Sequence, residues 1–169
     1  MRASMLFPAA LLLISCNSLK ETVKDDSWMF SNVTRADDHN PIMEPDKKVD
    51  FRCPMRKKEV DWAEANVFNP AALVRDDRVW LLFRAQDEDG TSRIGLAESG
   101  NGYEFKTKDE PVLYPDIDGQ KPYEWDGGCE DPRVVRRNDG TFVMTYTAYD
   151  KRTARLCVAT SRDLRRWEK

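Results

Sequence analysis

An internal repeat constrains this chain more than any other feature of its sequence. With a shift of 62 positions, Pro70 falls on Pro132 and Trp80-Leu81-Leu82 falls on Phe142-Val143-Met144. The same shift lays Ile94-Gly95-Leu96-Ala97-Glu98-Ser99 on Leu156-Cys157-Val158-Ala159-Thr160-Ser161, and Phe105 on Trp167. One inserted residue brings Phe83-Arg84-Ala85 onto Tyr146-Thr147-Ala148. Self-similarity at a fixed period of this length marks equivalent supersecondary units that bury their apolar faces by stacking.

Each unit reads as four short strands. In the first they are expected at about 71–75, 78–85 and 93–99 and near Phe105, with turns at Asp76-Asp77, Asp89-Gly90 and Gly100-Asn101-Gly102. In the second, Asn138-Asp139-Gly140 supplies the hairpin turn and Lys151–Thr153 the next connection. Four antiparallel strands per repeat is the make-up of a propeller blade. A sandwich, the alternative, does not require so regular a repeat. The fold class is therefore all-β, an incomplete β-propeller of about two four-stranded blades. Blade one is expected at about 66–115 and blade two at about 128–169, within a partial propeller spanning 61–169. Two blades do not close a ring, and the sequence stops at Trp167-Glu168-Lys169 as the second unit finishes. A chain shorter than its relatives is expected.

Residues 1–16 are of a different composition. Arg2 precedes an apolar run from Met5 to Ile14, far short of the roughly 20 residues that span a bilayer, so the segment reads as a secretory signal. Its end, Leu13-Ile14-Ser15-Cys16, has the pattern of a lipobox. Under that reading Cys16 is lipidated and tethers the mature protein to a bacterial envelope membrane, on its periplasmic or surface side. An ordinary signal peptide with an incidental cysteine is the alternative. Residues 17–60 are expected to be a polar tether and irregular N-terminal extension, with Pro41 and Pro45 as breakers.

Twenty-seven basic and 30 acidic residues give a net charge of −3 with no basic stripe, which argues against a nucleic-acid partner. Cys53, Cys129 and Cys157 form no CxxC, so neither a disulfide framework nor a zinc site is expected, and no metal or organic cofactor is required. The five tryptophans suit a carbohydrate cleft and equally a sheet core.

The repeat also locates a candidate site. Asn69 and Asp131 both immediately precede the aligned prolines and should point from their blades toward one axial region. The second strand of each unit returns to the start of the first, which places Arg84 near Asn69 and Thr147 near Asp131. Turn capping ahead of proline accounts equally well for Asn69 and Asp131. Glu130-Asp131-Pro132-Arg133 is the densest polar cluster. In extended backbone Glu130 and Asp131 should point to opposite faces, one into the cleft and one into its wall. Glycoside cleavage needs a carboxylic acid for the leaving oxygen and a nucleophile on the opposite face. The sole histidine, His39, lies in the extension and is a poor candidate for that work.

Val67-Phe68-Asn69-Pro70-Ala71-Ala72, Leu82-Phe83-Arg84-Ala85 and Ser92-Arg93-Ile94-Gly95-Leu96-Ala97 resemble the first blade of glycoside hydrolase family 130. Gly127-Gly128-Cys129-Glu130-Asp131-Pro132-Arg133, Thr145-Tyr146-Thr147-Ala148 and Ala159-Thr160-Ser161 resemble the second, the resemblance covering roughly residues 51–169. It implies a five-bladed propeller acting on β-mannosyl oligosaccharides, with inorganic phosphate as co-substrate in the phosphorylases and water in the mannosidases. It further implies that Asp131 is the general acid of a single inverting displacement, its proton relayed through a mannose hydroxyl, and that Asn69 and Arg84 bind the mannosyl unit. Glu130 and Arg133 belong to the same motif and are expected to support or bind. The basic residues that grip phosphate in this family come from later blades. Inverting phosphorolysis to mannose 1-phosphate is the leading expectation; a β-mannoside hydrolase and a non-catalytic carbohydrate-binding lipoprotein are the alternatives.

Overall fold

Residues 33–169, the part that the computed structural model describes, form nine strands, with period-two alternation clearest over Phe142–Tyr149. The expected signal segment and Cys16 lie outside the described residues. The strands are β1 (Asp46–Cys53), β2 (Lys58–Ala63), β3 (Asn66–Arg75), β4 (Arg78–Gln86), β5 (Ser92–Ser99), β6 (Lys106–Thr107), β7 (Gly128–Arg136), β8 (Phe142–Tyr149) and β9 (Ala154–Ser161). A short α-helix, α1 (Lys121–Glu124), precedes β7. Antiparallel β3-β4-β5-β6 form the first blade, and β7-β8-β9 form the second, with an outer bridge between Thr160 and Glu168. The all-β architecture, with sheets that do not close, is the incomplete propeller expected from the repeat.

Alternation along β4 decides what each side chain meets. Leu81, Phe83 and Ala85 face one way and pack with Phe51, Val60 and Trp62. Trp80 and Leu82 face the other way, where they meet Phe142, Met144, Tyr146 and Ala148 of β8. Arg84 shares this second face and so points at blade two. The groups that cover the first face come from the β1–β2 hairpin, which corrects the expectation of an irregular extension through residue 60. Val49, Phe51 and Cys53 alternate with charged residues along β1, as do Val60 and Trp62 along β2. Period two is present there, obscured by the lysines and aspartates of the outer face.

A second correction concerns the repeat itself. Trp80 pairs with Leu73 and Glu98, whereas Val143 pairs with Val135 and Thr160, so Val143 and not Phe142 is the counterpart of Trp80. The inserted residue lies in the hairpin turn, where Asp76-Asp77 is replaced by the longer Asn138-Asp139-Gly140, and not after Leu82. A slip of one residue turns every side chain to the opposite face, which explains why Trp80 and Phe142 enter one core from opposite sides. The closing turns of β5 and β9 do repeat faithfully. Ser99 Oγ accepts from the backbone N–H groups of Asn101 and Gly102, as Ser161 Oγ does from Asp163 and Leu164.

Two features fix the passage between blades. Glu124 of α1 is fully buried, accepts from the Tyr146 hydroxyl at 2.7 Å and from Lys169 Nζ at 2.6 Å, and ties the approach to β7 onto blade two. Burial and this bond to Glu124 hold the Tyr146 hydroxyl far above the ordinary range of a tyrosine. Beyond α1, Gly128 (φ +111°) pairs in parallel with Ser92, and a Cβ there would lie 2.1 Å from the Ser92 carbonyl oxygen. Gly128→Ala is therefore expected to cost about 2–4 kcal/mol, from overpacking plus a disallowed φ. Gly119→Ala, with open space around the new methyl group, should change stability by less than about 0.5 kcal/mol. Urea unfolding of the two variants measures the difference.

Candidate active site

Prolines inside strands interrupt hydrogen-bond ladders, and both aligned prolines do so here. The register of β3 on β4 slips between Phe68 and Ala71, and that of β7 on β8 slips between Glu130 and Arg133. Within these bulges Asn69 and Asp131 hold φ of 50° and 51°, a left-handed conformation that Asn and Asp tolerate better than other non-glycine residues. Asn69 Nδ2 donates to Asp131 Oδ1 at 2.8 Å, so the equivalent positions of the two blades touch.

Arg84 completes the cluster from β4. Its Nη2 donates to Glu130 Oε1 at 2.6 Å, its Nη1 to Asp131 Oδ1 at 3.3 Å and its Nε to Ser92 Oγ at 3.0 Å. The guanidinium lies over the Phe68 ring, 4.5 Å from its centroid. One cation thus reaches both carboxylates, which corrects the expectation that Glu130 and Asp131 point to opposite faces. The reason is the bulge: a left-handed residue breaks the alternation that an extended strand would impose. The two acids still differ in exposure. The Glu130 side chain is 13% exposed and the Asp131 side chain 37%. Both contacts to Asp131 fall on Oδ1, leaving Oδ2 without a bond to any described protein group.

Burial raises the Glu130 carboxyl above its ordinary range and nearby Asp131 adds to the effect, while Arg84 and the Ser92 hydroxyl oppose it. Arg133 does not join the cluster. Its side chain is exposed and donates to the Pro132 carbonyl. His39 stacks on Tyr103, with ring centroids 4.1 Å apart. Among the described residues, no group of three or more His, Cys, Asp or Glu side chains is arranged to hold a metal ion. A groove of about 650 Å³ elsewhere, lined in part by Tyr114, Asp116 and Trp167, contains none of the clustered residues.

Sequence reasoning missed Phe68, Ser92 and Gln86, whose Nε2 donates to Ser92 Oγ at 3.1 Å. A signal was available in the departures between copies. Arg84 corresponds to Thr147, Ser92 to Ala154 and Phe68 to Glu130, whereas Leu81, Phe83 and Ala85 keep apolar counterparts in Met144, Tyr146 and Ala148.

Removing the guanidinium leaves two neighbouring carboxylates without their cation. Arg84→Met is expected to push the Glu130 titration higher still, read by carbon-13 NMR of the side-chain carboxyl. It should also cost about 1–3 kcal/mol near neutral pH. The folded Glu130 holds its proton to higher pH than the unfolded chain does, so its contribution to stability falls as pH rises through that window. The deficit of the variant should accordingly shrink as pH is lowered toward protonation of Glu130.

Comparison with known proteins places this geometry. A family model described as β-1,4-mannooligosaccharide phosphorylase matches residues 33–169. A 1,2-β-oligomannan phosphorylase of Thermoanaerobacter sp. (strain X514) is 35% identical over 125 residues, covering 68% of this chain and 40% of the relative. A β-1,2-mannobiose phosphorylase of the same organism is 32% identical, over 66% of this chain and 40% of the relative. The solved structure of a glycosyl hydrolase from Bacteroides ovatus superposes with a TM-score of 0.80 at 41% identity, covering 84% of this chain and 42% of that one. A second structure, at 43% identity and a TM-score of 0.80, covers 83% of this chain and 41% of that one. It is described with glycoside hydrolases, in a family of mannoside phosphorylases, that target β-1,2 mannosidic linkages in Candida mannan. The chain spans about two fifths of the length of these relatives. The family match over residues 33–169, together with the incomplete propeller described above, shows that this chain belongs to glycoside hydrolase family 130.

Proposed function

We propose that the Asn69–Arg84–Asp131 cluster binds the mannosyl unit of a β-mannoside and cleaves its glycosidic bond with inversion, Asp131 serving as the general acid. The observation that carries this reading is the arrangement of Asp131: Asn69 and Arg84 both hold Oδ1, and Oδ2 has no partner among the described residues. A carboxylic acid fixed by one oxygen and open at the other can deliver a proton in a set direction. In the proposed step the bond from C1 to the leaving oxygen breaks, and that oxygen takes a proton originating on Asp131 and relayed through a sugar hydroxyl. A phosphate oxygen bonds to C1 from the opposite face, so a β-linkage yields α-mannose 1-phosphate. Glu130, more buried and tied to Arg84 and Ser92, serves as a wall that keeps the guanidinium in place.

Hydrolysis is the second reading. It is favoured by the description of the 43%-identical structure with hydrolases that target β-1,2 mannosidic linkages. Water then takes the place of phosphate, and as its oxygen bonds to C1 it gives up a proton to a carboxylate acting as general base on the opposite face of the sugar ring. We also propose that Cys16 is lipidated and that the protein is held at a bacterial envelope membrane. The run Leu13-Ile14-Ser15-Cys16 supports this.

Incubation with β-1,2-mannobiose, with and without inorganic phosphate, tests the reaction. Mannose 1-phosphate formed only in the presence of phosphate supports phosphorolysis; free mannose in both cases supports hydrolysis. Asp131→Asn should lower kcat by about 10³-fold or more without loss of the folded state, and retained turnover refutes the assignment. For the anchor, metabolic labelling with a radioactive fatty acid should mark the wild type and not Cys16→Ser; equal labelling, or none in either, refutes it.

A further inference from the structure

Ser92 is fully buried at the start of β5 and uses every hydrogen-bonding capacity of its hydroxyl. Oγ accepts from Arg84 Nε at 3.0 Å and from Gln86 Nε2 at 3.1 Å, and donates to Glu130 Oε1 at 3.1 Å. A hydroxyl offers one donor and two acceptor sites, and all three are engaged. The backbone of Ser92 is equally fixed. Its N–H donates to the Gly127 carbonyl at 2.8 Å, and Gly128 lies against it too closely to admit a side chain.

A guanidinium is a rigid plane with five donors, and left alone beside a carboxylate it favours a two-pronged grip on both oxygens. Arg84 makes no such grip. Stacking on Phe68 sets the plane, and the bond from Nε to Ser92 sets the rotation within that plane. With both fixed, Nη2 falls on Glu130 and Nη1 reaches Asp131 only through Oδ1. We propose that Ser92 is a positioning residue, whose hydroxyl holds the Arg84 guanidinium in the one rotation that leaves Asp131 Oδ2 open. A comparison of the two blades supports this independently. The position equivalent to Ser92 is Ala154, and the position equivalent to Arg84 is Thr147, so the hydroxyl occurs where the guanidinium does. The charged members of the cluster are Arg84 from β4 and Glu130 and Asp131 from β7, while Asn69, Gln86 and Ser92 are neutral.

The proposal rests on the reading of Asp131 as the acid, and the test separates the two. Ser92→Ala removes the hydroxyl, Ser92→Cys keeps the size but weakens the hydrogen bonds, and Ser92→Thr restores the hydroxyl. In the full protein, Ser92→Ala and Ser92→Cys should lower kcat on β-1,2-mannobiose by about 10–100-fold, with KM changed by less than about threefold. Ser92→Thr should recover at least about a third of wild-type kcat, because it returns both the donor and the acceptor sites. Wild-type kcat in both Ser92→Ala and Ser92→Cys overturns the proposal, as does a Ser92→Thr variant as impaired as Ser92→Ala. A structure of whichever of the alanine and cysteine variants folds is read independently of turnover. A guanidinium rotated onto both oxygens of one carboxylate supports the proposal, and one unmoved from its contacts with Glu130 and Asp131 overturns it. If the wild type turns over no mannoside, the proposed function fails and this structural arm still decides the role of Ser92.

Discussion

Where the two blades meet, the backbone of Ser92 in the first lies against the backbone of Gly128 in the second, with no room for a Cβ between them. Side chains hold apart the rest of the interface, from Trp80 and Leu82 on one side to Phe142, Met144 and Tyr146 on the other. At this one joint the separation is set by the main chain. A guanidinium carried by β4 can therefore reach two carboxylates carried by β7 at hydrogen-bonding distance, because the strand between them is pinned at its first residue. Were the joint to open by an ångström, the contact to Asp131, already 3.3 Å long, would be lost first.

The approach to this joint is braced from the other side of blade one. Arg93 follows Ser92 and faces the opposite way, where it forms a buried ion pair with Asp87 at 2.9 Å. Arg56, in the turn between β1 and β2, reaches the same Asp87 at 3.1 Å and also pairs with Asp89 at 2.6 Å. A buried pair of this kind adds little net stability, but breaking it leaves an uncompensated charge, so it enforces one arrangement of the loop that delivers Ser92. The N-terminal hairpin thus has two tasks. It covers the apolar face of Leu81, Phe83 and Ala85, and it locks the Asp87–Thr91 turn. Among the described residues none covers the outward face of blade two, where Val135, Leu156 and Val158 stand exposed.

Much of this was legible in the sequence because repetition reports architecture without a calculation of energies. The strands from Arg78 to Ser99, the turn at Asn138-Asp139-Gly140 and the meeting of Asn69 with Asp131 all follow from period two and the shifted alignment. The failures share a physical cause. Alternation assumes an unbroken extended chain, so it could not foresee that a bulge would bring Glu130 and Asp131 to one guanidinium. The position of the inserted residue was misread because Trp80 and Phe142 are both large and apolar, and hydrophobicity does not record which face a side chain occupies. Ser92 stands in a first-blade motif but received no role, because a lone serine in an apolar strand carries no chemical pattern and its contacts exist only through Arg84, Gln86 and Glu130. The β1–β2 hairpin was hidden by the charges of its solvent face.

The paired bulges have an evolutionary consequence. The backbone adopts the same left-handed φ at Asn69 and Asp131, so at this pair of positions the two blades differ by a single side-chain atom, an amide nitrogen in one and a carboxylate oxygen in the other. Asparagine and aspartate codons are one nucleotide apart. A duplicated scaffold of this kind can assign proton donor to one copy and hydrogen-bond donor to the other by a point change, without disturbing either strand. Asymmetry of chemistry then arises from symmetry of shape, and the two can be inherited separately.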